Sequence, residues 1–239
     1  VAPNGARVYF VESHVLPILD VQVDFDAGAA RDPAGKSGVA SMTQSLLDTG
    51  AGGLDEDTLA ERFTDLGAQL GGVADNDRAG LSLRTLSSAR EREGSLALLH
   101  TLLTRPEFPA TVLEREKARA ISGLREADTK PDAIGSKRFA RALYGDHPYA
   151  RTQATEAGIE AVDRAQLVAE HARRLRPDNA LLVIAGRIGE DEAMALAQRH
   201  FGDWRVQGDA PATTPAARTG AMPTRVLLDR EGSVQSTVR

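Results

Sequence analysis

The chain has no cysteine, which excludes disulfide cross-links and thiolate metal sites and leaves only histidine and carboxylate side chains as metal ligands. Aromatic residues are scarce, 4% of the chain with one tryptophan, so the core must be aliphatic and its helices rich in alanine. No apolar run approaches the ~18 residues of a membrane-spanning helix, and the first residues do not read as a signal peptide. A basic excess is missing too. The formal net charge is -5 with both signs interspersed, which gives no stripe for a nucleic-acid backbone. The densest arginine run, Arg173-Arg174-Leu175-Arg176, falls at an expected helix end, where it reads as a solvated face complementing the helix dipole.

What is present suits one large α+β domain with a ragged end. The division expected is a domain over residues 1–210, a Pro/Ala/Thr/Gly linker over 211–224, and over 225–239 a return strand or the start of a truncated second half. A first residue that is valine rather than methionine fits a trimmed, exported chain, with a periplasmic location expected and a cytoplasmic one as the alternative.

Residues 6–12 and 19–26 read as strands, the second alternating apolar and acidic with one wet face. Residues 28–35 form a loop. Residues 38–50 read as an amphipathic helix closed by Gly50, with Val39, Met42 and Leu46 on one face and Ser41, Gln44 and Ser45 as a small polar patch. Gly50-Ala51-Gly52-Gly53 lacks the lysine and hydroxyl of a phosphate loop and reads as a helix stop and flexible link. A helix from Asp55 or Asp57 to Gly67 follows, then a hairpin of residues 68–75 and 79–86 turning at Asp75-Asn76-Asp77. Gly71 and Gly72 inside its first strand mark either a bulge or a close approach of another backbone.

Further helices are expected from Ser87 to Thr104, from Thr111 to Asp128, from beyond Lys130-Pro131 through Leu143, from Asp163 to Leu175 and from Glu190 to Phe201. Residues 180–186 are apolar throughout and should form an interior strand; residues 225–229 read as one more. The acidic pairs Asp24 with Asp26, and Asp55 with Glu56 and Asp57, read as a solvated strand face and a helix start. The five histidines show no pair at ligand spacing, and Ser41 and Ser45 have no evident His and Asp partners for a hydrolase triad.

Several stretches, in order, resemble the zinc peptidases of the pitrilysin or insulinase family M16. They are Asp32-Pro33-Ala34-Gly35-Lys36-Ser37-Gly38-Val39-Ala40, Leu66-Gly67-Ala68, residues 109–127, Leu143-Tyr144-Gly145-Asp146-His147-Pro148-Tyr149, Arg176-Pro177-Asp178-Asn179-Ala180, Gly186 and His200-Phe201-Gly202-Asp203-Trp204. The resemblance implies a processing-peptidase-like half: an antiparallel-rich mixed sheet with helices packed against it. Active members carry H-x-x-E-H on the first core helix, two zinc ligands one turn apart with a glutamate that activates the metal-bound water, and a third ligand, a glutamate, on a later helix. The matching positions here are Ser41, Gln44, Ser45 and Gly123. Glu126 lies three residues beyond Gly123 on the expected helix and is displaced from that position.

The resemblance therefore implies a non-catalytic chain without zinc or other cofactor. Its partners would be a zinc-bearing homologue or a second half of the same kind, and a peptide, with no nucleic acid and no membrane span. Gly71, Gly72, Val73 and Ala74 correspond to an edge strand offered to the peptide backbone. The alternatives are a divergent metallopeptidase using another metal arrangement and a stand-alone scaffold.

Overall fold

The structure, a computed structural model, describes residues 2–206 together with Ala216 and Leu227. The expected linker and the segments over 225–229 and 233–239 fall outside the described residues, apart from those two positions.

A five-stranded sheet organises the chain. Its strands are β1 (Arg7–Glu12), β2 (Ile18–Phe25), β5 (Gln69–Ala74), β6 (Ala79–Leu86) and β7 (Ala180–Gly186), in the order β1-β7-β2-β6-β5. Only the β1–β7 pair is parallel; β2 pairs antiparallel with both β7 and β6, and β5 with β6. The sheet is thus mixed and antiparallel-rich. β7 is interior, flanked by β1 and β2.

The alternation in β2 divides the two faces. Leu19, Val21, Val23 and Phe25 are buried in the core on one face, where α1 (Val39–Ser45) and α3 (Ala89–Thr104) pack on the neighbouring β6 and α8 (Glu190–Phe201) packs on β1. With Leu81, Leu83, Leu99, Leu102 and Ile184 they form one aliphatic core in which Phe25, Phe63, Phe108 and Phe201 are the buried aromatics. The opposite face carries Tyr9 and Val11, both more than half exposed, half-buried Val183 and Ala185, and the Asp20–Arg84 pair across β2 and β6. Uniform apolarity in β7 therefore marks an interior strand without implying that helices cover both faces.

The remaining helices are α2 (Glu56–Asp65), α4 (Ala110–Ala127), α5 (Pro131–Tyr144), α6 (Glu156–Glu160) and α7 (Arg164–Arg174). Asp55 caps α2 by accepting from Thr58 N at 2.9 Å, and Asp163 caps α7 by accepting from Gln166 N at 2.8 Å. Two expectations need correction. The first core helix ends at Ser45 rather than Gly50, because Leu46 and Leu47 both turn into the core and the chain leaves helical geometry to bury them. Residues 50–53 are not a free link: Gly50–Ala51 (β3) and Leu54–Asp55 (β4) pair as a small hairpin, with Gly52 and Gly53 at positive φ in its turn.

Candidate functional site

The site is built around α1. Its N-terminus is held by Asp32, a 2% exposed carboxylate that accepts from Gly38 N at 2.6 Å and Ala40 N at 2.8 Å. Burial pushes the Asp32 carboxyl up to about 6; the two backbone donors pull down, Glu170 pushes up further and Arg174 pulls down. Gly38 itself sits at φ 113°, which calls for glycine, and a Cβ there would also press on Ile159 Cδ1 at 2.4 Å. Val39, Ala40, Met42 and Thr43 are buried, which turns Ser41, Gln44 and Ser45 to the opposite side.

That side meets the sheet edge. β5 is the last strand, and no strand among the described residues pairs with its outer edge. Its pairing with β6 runs without interruption from Gln69 to Ala74, so Gly71 and Gly72 mark no bulge. What approaches Gly72 is a side chain rather than a backbone: a Cβ there would lie 1.9 Å from Gln44 Nε2. The Gln44 carboxamide reaches over the strand and donates to Gly80 O at 3.4 Å. A Cβ at Gly71 would lie 2.7 Å from Ser82 Oγ. Val73 is half-buried and Ala74 exposed.

Ser41 and Ser45 are exposed, and Ser45 Oγ donates to Met42 O of its own helix at 3.2 Å. Gly123 lies on α4, where Leu113 is the one buried residue, and a Cβ at Gly123 would meet nothing within 4 Å. Glu126 is exposed and pairs with Lys130. The structure thus brings Gln44 to the edge strand and leaves Ser41, Ser45 and Gly123 facing open space. Two hydroxyls, a carboxamide and a glycine lack the imidazoles and carboxylates with which proteins hold catalytic zinc, so this donor set does not fit the metal. The histidines lie elsewhere. His14 pairs with Glu12, His200 with Glu93, His100 faces Asp203, His147 Nδ1 accepts from Tyr149 N, and His171 Nε2 bonds to Leu103 O. Burial lowers the pKa of His171, opposed by that carbonyl.

The arginine run overturns its sequence reading. Arg173 is exposed, but Arg174 and Arg176 are each 3% exposed, paired with Glu170 at 2.8 Å and Asp178 at 2.6 Å. Glu170 stands one turn before Arg174, a spacing that could have flagged the pair. Asp24 also departs from the expected wet face. It is buried, accepting from Gln22 at 2.8 Å and Arg78 at 3.1 Å. Sequence reasoning placed Asp32 in a loop without a role, yet it fixes the start of the helix that defines the site.

Residues 7–156 match the profile of the insulinase family, peptidase M16, and residues 161–233 that of the peptidase M16 inactive domain. The chain belongs to peptidase family M16. A solved M16 inactive domain from Pseudomonas fluorescens is similar at 33% identity and a TM-score of 0.85, over 91% of this chain and 52% of that one. An uncharacterized zinc protease of Mycobacterium leprae is 27% identical over 96% of this chain and 52% of its own length. Cytochrome b-c1 complex subunit 1 of Bos taurus is 22% identical over 91% of this chain and 46% of its own. The periplasmic protease PqqL of Escherichia coli shares the fold at 15% identity and a TM-score of 0.81, over 91% of this chain and 25% of that one. The chain spans about half the length of the curated M16 relatives it matches. No helix among its described residues is long and apolar enough to cross a membrane.

Proposed function

We propose that this chain is a non-catalytic M16 half that works without zinc, pairs with a zinc-bearing homologue or a second M16 half, and contributes peptide-binding surface. The observation that carries the reading is the engagement of Gln44. At the position where active relatives keep the glutamate that activates water, this chain has a carboxamide directed at Gly72 and the Gly80 carbonyl of the edge hairpin. Gln44 therefore supports the strand instead of serving a metal-bound water.

The peptide surface in this reading is the outer edge of β5. Gly71 and Gly72 add no side chain of their own to that edge, and an extended peptide can add there through main-chain hydrogen bonds. Ser41 and Ser45, small and exposed on the same side of α1 as Gln44, leave room for alternate side chains of the peptide. An exported location fits the periplasmic neighbour and is part of the proposal.

Metal analysis of the purified protein, combined with capture from the native host, tests the reading. The expected result is no stoichiometric zinc, no chelator-sensitive peptide cleavage, and recovery of a homologous chain with an intact H-x-x-E-H. Stoichiometric zinc with cleavage abolished by a chelator would overturn it in favour of a divergent metallopeptidase. Capture without any zinc-bearing homologue would overturn pairing with such a homologue and leave a second M16 half as the partner.

A further inference from the structure

A groove of about 520 Å³ lies between α5, the turn at Pro148–Arg151 with the segment that follows it, and Ser37 just ahead of α1. Four cationic side chains, Lys137, Arg138, Arg141 and Arg151, line it against one carboxylate, Asp128. Lys137 engages Asp128. The guanidinium groups of Arg138, Arg141 and Arg151 have no hydrogen-bond or ion-pair partner among the described residues. This sets them apart from arginines on neighbouring α4, since Arg115 is tied to Glu56 and Arg125 to Glu156. Arg138 and Arg141 are three residues apart on one helix, so they present neighbouring forks to the same space.

The groove adjoins the edge strand. Tyr149, which lines it, hydrogen-bonds through its hydroxyl to Asp77 in the turn that follows Ala74 of β5. Ser37, on another wall, stands two residues ahead of the helix whose Gln44 lies over Gly72. An extended chain laid along β5 and leaving at its Ala74 end therefore meets a groove with three unpaired guanidinium groups. Guanidinium forks match planar carboxylates, and an extended peptide advances ~3.3 Å per residue, so a side chain a few residues past the one opposite Gly72 comes within reach.

We infer that the groove is a subsite for an acidic side chain at one end of a peptide bound along β5, an inference that rests on the edge-strand reading above. A fluorescently tagged Thr/Val/Ser peptide, carrying a Glu pair at one end, at the other end, or Gln at both, tests it by anisotropy with the full-length protein. One of the two Glu placements should bind about tenfold tighter than the Gln peptide, and the other should not. R138Q/R141Q should reduce the favoured peptide to the affinity of the Gln peptide. R119Q, at an exposed arginine of α4 outside the groove, should keep the preference. Equal gains from both placements, or a preference that survives R138Q/R141Q, would overturn the subsite while leaving the edge-strand reading intact. If none of the peptides binds, the edge-strand reading itself fails, and the subsite with it.

Discussion

The Gln44 carboxamide occupies the volume that any side chain at Gly72 would need, with Nε2 1.9 Å from where a Cβ would stand. The two positions are therefore coupled, and the far end of Gln44 is the part able to yield. Gly72→Ala should cost roughly 1 kcal/mol in the parent chain and close to nothing in a Gln44→Ala background. A urea-unfolding double-mutant cycle reads the coupling directly. Additive costs would mean that the two side chains do not share this space.

Restoring the family's donor set should create a metal site. S41H/Q44E/S45H/G123E supplies two imidazoles one helical turn apart and a carboxylate on α4, where a Cβ at position 123 meets no obstruction. Zinc should bind this variant near 1:1 by calorimetry and raise its melting temperature, while leaving the parent unmoved. Because α4 and α1 are separate helices, the variant with glycine kept at position 123 should bind more weakly than the complete set.

Asp32 gives stability a distinctive pH dependence. Its carboxyl titrates at about 6 in the folded chain against ~3.9 when unfolded, so between those values the folded state holds a proton that the unfolded state has lost. Its favourable contribution is complete below about pH 4 and is lost as the pH rises through 6. Asp32→Asn removes this titration and leaves one of the Gly38 and Ala40 amides short of an acceptor. The stability gap between parent and variant should therefore narrow by roughly 2 kcal/mol from pH 4 to pH 7 in urea titrations. A gap constant with pH would show that Asp32 does not titrate in this window.

The Glu170–Arg174 pair is buried at both ends, so breaking it strands a charge. Glu170→Ala or Arg174→Ala alone should each cost about 3–5 kcal/mol, whereas E170L/R174M should cost much less than either. Thermal unfolding of the three variants checks this. Comparable losses in all three would place the energy in packing instead of charge.

The sequence was most legible where periodicity is long. β2, β6, α3, α4 and α8 each carry enough turns or alternations for their faces to be read, and the unbroken apolar run of β7 marked it as interior. The β3–β4 hairpin was not legible because two-residue strands have no period, and the five residues of α6 carry almost none. Positions 41, 44, 45 and 123 could be found by order along the chain, but the direction Gln44 takes could not. That contact joins residues far apart in sequence and depends on the packing of α1 over the edge hairpin. Burial of Arg174 and Arg176 was masked by composition, since an arginine run reads as surface until Glu170 and Asp178 are recognised as partners standing four and two residues away.

The insertion of β7 between β1 and β2 has a consequence for the order of synthesis. β1 and β2 are successive strands, yet they acquire their common neighbour only when residues 180–186 emerge. At ~5–20 residues per second the ribosome needs on the order of ten seconds or more to supply that strand. Until then Tyr9, Phe10 and Val11 have no ladder to join, so the newborn chain carries an apolar strand in waiting. Its most aggregation-prone interval falls before the sheet can close, and a chain released before residue 180 lacks the strand that closes it.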